Sequence, residues 1–182
     1  MTVYNTAADS ANTSVRAFLT KVGEFYLGRS FNTSSGQGKS DWERVKNKVF
    51  QKKCAYCDED SAKLQIEHLI MFNRKECGLH HPGNIVPICS KCNKRIRGPK
   101  GEYVNWEEQL ERICKDQGEE HKFEQRRNKI RKHIKIEKYP NLSKEESHAI
   151  RVIANSLYEN TKNELEKSLD LYKQLDKAFV QR

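Results

Sequence analysis

The sequence predicts an α+β protein in which a small metal-stapled core sits inside a mainly helical chain. Three observations predict it. Two Cys-x2-Cys pairs, Cys54/Cys57 and Cys89/Cys92, flank two short β-like runs. Apolar residues recur every three or four positions on both sides of that stretch. Two Ser-x-x-Glu boxes mark helix starts. A length of 182 residues suits one domain, or a small core with an added helical layer. The regions divide as 1–50, N-terminal helices packing on the core; 51–102, the stapled core; and 103–182, a C-terminal helical region.

Val15, Phe18, Leu19, Val22, Phe25 and Tyr26 lie at helical spacing and predict an amphipathic helix over 13–27. Residues 28–40, GRSFNTSSGQGKS, read as a Gly/Ser-rich loop. Its GKS ending is not a phosphate-binding P-loop, because position 33 is Thr where that motif needs Gly. Ser40 and Glu43 form a capping box for a helix carrying Trp42, Val45 and Val49. KLQIEHLI and NIVPI are the two β-like runs, and a helix is predicted after the second cysteine pair, beginning at Asn93. A further helix surrounds Trp106, Leu110, Ile113 and Cys114. Residues 119–138 form a basic helix striped by Phe123, Ile130 and Ile134, ended by the turn YPN. Ser143 and Glu146 then cap one long helix, or a broken pair, running to the end.

Lys and Arg number 34 against 25 Asp and Glu, a formal +9. Such a balance suits a polyanion, nucleic acid before an anionic membrane surface. No apolar run approaches the roughly 20 residues that span a bilayer. The start, MTVYNTAADS, lacks the cationic and apolar regions of a secretory signal, so a cytoplasmic protein is expected. In that compartment cysteines are metal ligands or buried thiols before they are disulfides.

Four thiolates from two such pairs can surround one tetrahedral Zn2+, and the short polar stretch between them gains a staple that its own core cannot supply. Four protein ligands leave no open position, so this zinc is structural. Cys77 lies near His80 and His81, where a second metal is conceivable; a plain loop cysteine is favoured. Cys114 fits a helix core position, and His121 and His133 read as surface residues.

Glu67 and His68 are adjacent on a strand-like segment, and Asn84 and Asn93 follow. Alternation places neighbouring side chains on opposite strand faces, so Glu67 and His68 share a site only if the strand bends there. A carboxylate and an amide oxygen suit a hard cation, and an imidazole beside them can deprotonate a water. These residue types fit phosphodiester hydrolysis.

In order, the chain carries Cys-x2-Cys, Glu67-His68, Gly-Asn-Ile-Val-Pro and Cys-x2-Cys-Asn. This series, over about residues 50–100, resembles the zinc-stapled branch of the HNH endonucleases, whose core is the ββα-metal fold. The resemblance implies that His68 activates the attacking water. It implies that Glu67 binds a catalytic Mg2+ or Mn2+, together with Asn93 on a helix. Asn84 would steady the loop and orient the base through backbone contacts. Glu stands where Asp is commoner, and Asn where His is often found. The implied reaction is DNA hydrolysis leaving 5′-phosphate and 3′-hydroxyl ends, with restriction or phage defence as a setting.

Lys91, Lys94, Arg95, Arg97 and Lys100 follow the second pair with no acid among them. Arg126, Arg127 and Arg131 stand in the 119–138 helix with five lysines. These side chains are read as phosphate contacts, which position a strand without reading sequence. The main alternative is a non-catalytic zinc-ribbon-like nucleic-acid-binding module. Another is a subunit of a larger defence complex. The last helix, with balanced charge, is read as a surface for a homodimer or a partner protein.

Overall fold

A computed structural model describes residues 6–99 and 101–180. The fold is α+β: a two-stranded antiparallel sheet surrounded by helices. Helix α1 spans Ala7–Leu27, α2 Gly36–Arg44, α3 Trp106–Asp116, α4 Phe123–Ile136 and α5 Lys144–Leu175. Strand β1 covers Gln65–His68 and β2 Ile85–Ile88, with Glu67 opposite Val86 and His68 opposite Ile85. No helix is long and apolar enough to cross a membrane among these residues.

Local chemistry explains most boundaries. The Thr6 side chain accepts from the Asp9 amide while Asp9 reaches back to the Thr6 amide, so α1 starts six residues before the predicted helix. At its far end Gly28 sits at φ 73°, a left-handed stop. Ser143 and Glu146 form the predicted box at the start of α5. Ser40 and Glu43 do not: α2 already begins at Gly36, and both residues lie inside it.

Two cores hold the chain together. In the larger, Phe31, Trp42, Val45, Phe50, Tyr56 and the four paired cysteines meet β2, Leu110, Cys114 and Ile130. In the smaller, Val15 and Leu19 of α1 meet Leu79, Ile150 and Ala154. Arg44 grips Glu137 with two bonds of 2.7 and 2.8 Å and ties α2 to the end of α4.

The predicted helix at Asn93 is absent. The Asn93 amide closes one turn onto the Cys89 carbonyl at 3.1 Å. Beyond it, buried Gln109 holds the Ile96 amide and the Lys94 carbonyl, and the chain doubles back through an Arg97–Tyr103 bridge. These backbone groups are spent on tertiary partners, so no helical ladder forms.

His133 is in the interior, not at the surface as the sequence predicts. It is 1% exposed, and its Nε2 lies 3.0 Å from the carbonyls of both Pro82 and Ile85. It therefore pins α4 to the start of β2.

Candidate functional site

The four sulfurs of Cys54, Cys57, Cys89 and Cys92 lie within 4.8 Å of one another, placed to hold a metal ion. A tetrahedral ion with metal–sulfur bonds of about 2.3 Å requires sulfur–sulfur edges of about 3.8 Å. Cys57 and Cys89 stand 3.8 Å apart. Tight turns make the cradle: the Cys54 amide donates to the Glu59 carbonyl and the Asp58 amide to the Cys54 carbonyl. Without a cation, thiols of Cys57 and Cys92 hydrogen-bond to Cys54 and hold its pKa down, while Cys57 and Cys92 are pushed up. A bound cation removes that conflict by letting all four ionise. All four residues are buried, and a sulfur set of this kind suits a borderline-soft ion.

Between the pairs, Asn84 is 1% exposed and organises the loop after β1. Its Oδ1 accepts from the Ile70 amide at 2.8 Å. Its Nδ2 donates to the carbonyls of Ile70 at 2.9 Å and Leu79 at 2.8 Å. One side chain thus closes the 70–79 loop at both ends, just beyond His68.

Glu67 and His68 use opposite faces of β1, as strand alternation requires. The Glu67 carboxylate is paired with the Arg95 guanidinium, whose side chain is 4% exposed. Arg95 also donates to the carbonyls of Leu69 and His68. Burial raises the Glu67 pKa, and the guanidinium opposes that shift. On the other face, the His68 ring stacks on Phe72, and its Nε2 lies 3.0 Å from Nδ1 of His80. Burial drives the His68 pKa down to about 3, with His80 and Arg95 adding to the effect, so the ring is a neutral imidazole at neutral pH. The Asn93 amide bonds Gln65 instead of joining either residue.

His80 is the partner that sequence reasoning missed. In the sequence it stands near Cys77, which suggests no role beyond a conceivable second metal. The Cys77 thiol instead donates to the Arg74 carbonyl at 3.1 Å. Backbone contact fixes His80: a Cβ on Gly23 of α1 would stand 2.3 Å from the His80 carbonyl oxygen. The glycine lets the helix press directly on this loop.

The basic residues divide into two groups. Arg95 and Arg126 are interior. Arg126 pairs with Glu119 and donates to the Cys57 carbonyl at 3.0 Å, so it secures α4 to the first cysteine pair and is not a surface phosphate contact. Arg127 pairs with Glu124, and Arg131 pairs with Glu107. Lys91, Lys94 and Arg97 are exposed, with Arg97 stacked on Tyr103, and so are Lys132 and Lys135 of α4 and Lys138 just beyond its end. Lys100 lies outside the described residues. A cleft of about 420 Å³ between the 70–79 loop and α5 is lined by Ile70, Cys77, Tyr139 and Arg151, and holds neither His68 nor Glu67.

No family model, curated protein or solved structure matches the chain.

Proposed function

We propose that the protein is a zinc-stapled nuclease of HNH type that hydrolyses phosphodiester bonds in DNA, with His68 as the general base. The observation that carries this reading is the Asn84 brace. A buried amide side chain fastens both ends of the loop that leaves the acid–histidine pair, and this is the duty that the resemblance gives to the middle Asn. His68 also supplies a neutral imidazole, held at one nitrogen by His80, although the burial that keeps it neutral makes it a weaker base than a free histidine. Cys54, Cys57, Cys89 and Cys92 would hold the zinc, which supplies rigidity and no chemistry. Exposed Lys94, Arg97, Lys132, Lys135 and Lys138 offer phosphate contacts.

A catalytic Mg2+ or Mn2+ at Glu67 and Asn93 does not fit these side chains as they stand. Arg95 holds the carboxylate and Gln65 the amide. That pairing favours a second reading, a non-catalytic metal-stapled nucleic-acid binder, for which Arg95–Glu67 is a structural ion pair.

Plasmid nicking by zinc-loaded protein with Mg2+ or Mn2+ separates the two. The nuclease reading expects cutting that falls at least 100-fold in His68→Ala while binding persists. Salt-sensitive binding with no cutting by wild type supports the binder. Equal cutting by wild type and His68→Ala refutes the assignment of the base.

A further inference from the structure

Helix α5 leaves the body of the protein about two-thirds of the way along its length. Its first turns pack on α1, burying Ile150 and Ala154, and the Tyr26 hydroxyl donates to Glu146 at 2.8 Å. Both helices rise about 1.5 Å per residue. Nineteen residues back from Tyr26 is Ala7, where α1 starts; nineteen on from Glu146 is Leu165. The helical support therefore runs out near Leu165. The apolar seam does not. Leu165, Leu169, Tyr172, Leu175 and Phe179 continue the Ile150–Ala154 face at steps of three and four, and are 42%, 54%, 61%, 47% and 81% exposed.

We propose that this face pairs with the same face of a second copy of the chain, the two helices running antiparallel. Area, net charge and charge order support this occupant. Roughly 600 Å² of side chain stands open on each copy, so a symmetric pair buries about 1,200 Å², within the range of stable interfaces. Residues 159–182 contain five acids and five bases, so the whole +9 sits on residues 1–158. A parallel pair would bring two strongly positive bodies side by side, whereas an antiparallel pair sets them at opposite ends. Along the helix, Glu164 and Glu166 come first and Lys173 and Lys177 later. With Leu169 facing Tyr172 of the partner subunit, Glu166 comes beside Lys173 of the partner subunit, because both lie on the same flank of the seam. The contact is isologous and closes on two copies.

The test is sedimentation and light scattering on the full metal-loaded chain from about 1 to about 100 µM. The expected mass is twice 21.3 kDa. The double variant Leu169→Lys/Tyr172→Lys should sediment as one copy, with helix content and bound metal unchanged. Glu166→Lys should weaken association by about 5- to 10-fold at low salt, and adding Lys173→Glu should restore it. A single-copy mass for the wild type throughout that range overturns the proposal, as does a dimer that survives the double lysine variant. Failure of Lys173→Glu to rescue Glu166→Lys overturns the antiparallel arrangement. None of these readings depends on nuclease activity.

Discussion

Replacing Asn84 with Ala removes three hydrogen bonds, one buried and two half-buried, and leaves the Ile70 amide and the carbonyls of Ile70 and Leu79 without their partner. Each bond contributes a net of roughly 1 kcal/mol, and each stranded buried group adds a penalty that partial rehydration of the loop limits. The expected loss is about 3 to 4 kcal/mol. Asn84→Asp should cost as much or more, because a carboxylate would face two carbonyl oxygens where Nδ2 now donates. Urea unfolding of the zinc-saturated protein measures the loss, and amide exchange at Ile70 reports whether the loop opens first. A cost below about 1 kcal/mol with unchanged protection at Ile70 would refute the view that this one side chain closes the loop.

Three other outcomes are expected. Metal analysis should find one zinc per chain, and Cys54→Ser or Cys89→Ser should lower the occupancy and the thermal midpoint together; full occupancy in both variants contradicts the four-sulfur site. Gly23→Ala should destabilise by roughly 1–3 kcal/mol, since the new Cβ meets the His80 carbonyl at 2.3 Å, although Ala is the better helix former by about 1 kcal/mol; a higher melting temperature would argue against the close contact. Burial lowers the pKa of His81 to about 4 and lowers that of His133, below an unfolded value near 6.5. The unfolded chain therefore binds more protons in that window, so stability is full above about pH 6.5 and falls as pH drops towards about 4. His133→Gln, which cannot take the charge, should show a shallower acid decline in denaturation midpoint; an unchanged decline removes His133 from the account.

The legible parts of the sequence were those governed by local rules. Ser143 and Glu146 satisfy their own backbone, and cysteines three apart converge through turns they make themselves. The illegible parts were decided by distant partners. A helix at Asn93 lost to Gln109, Glu67 and the hairpin through Tyr103. Arg126 and His133 looked like members of a solvated basic run, yet they share a stripe with Ile130 at steps of four and three, a signal that charge concealed. In the site, the spacing found the sulfur cluster but could not pair Glu67 with Arg95 or His68 with His80. Ser40 and Glu43 had the form of a helix start, but the Ser35–Gly36 step upstream took that role.

Arg126 joins two parts of the molecule that sequence distance keeps apart. It reaches from α4 to the carbonyl of Cys57 and anchors there beside Glu119. The helix that displays Lys132 and Lys135, with Lys138 just beyond its end, is thus moored to a cysteine knuckle. If those sulfurs hold an ion, an oxidant or chelator that removes it would slacken that mooring, and the lysines would lose their fixed bearing. On the proposed reading, grip on a polyanion would then follow the redox state of four thiols through one guanidinium.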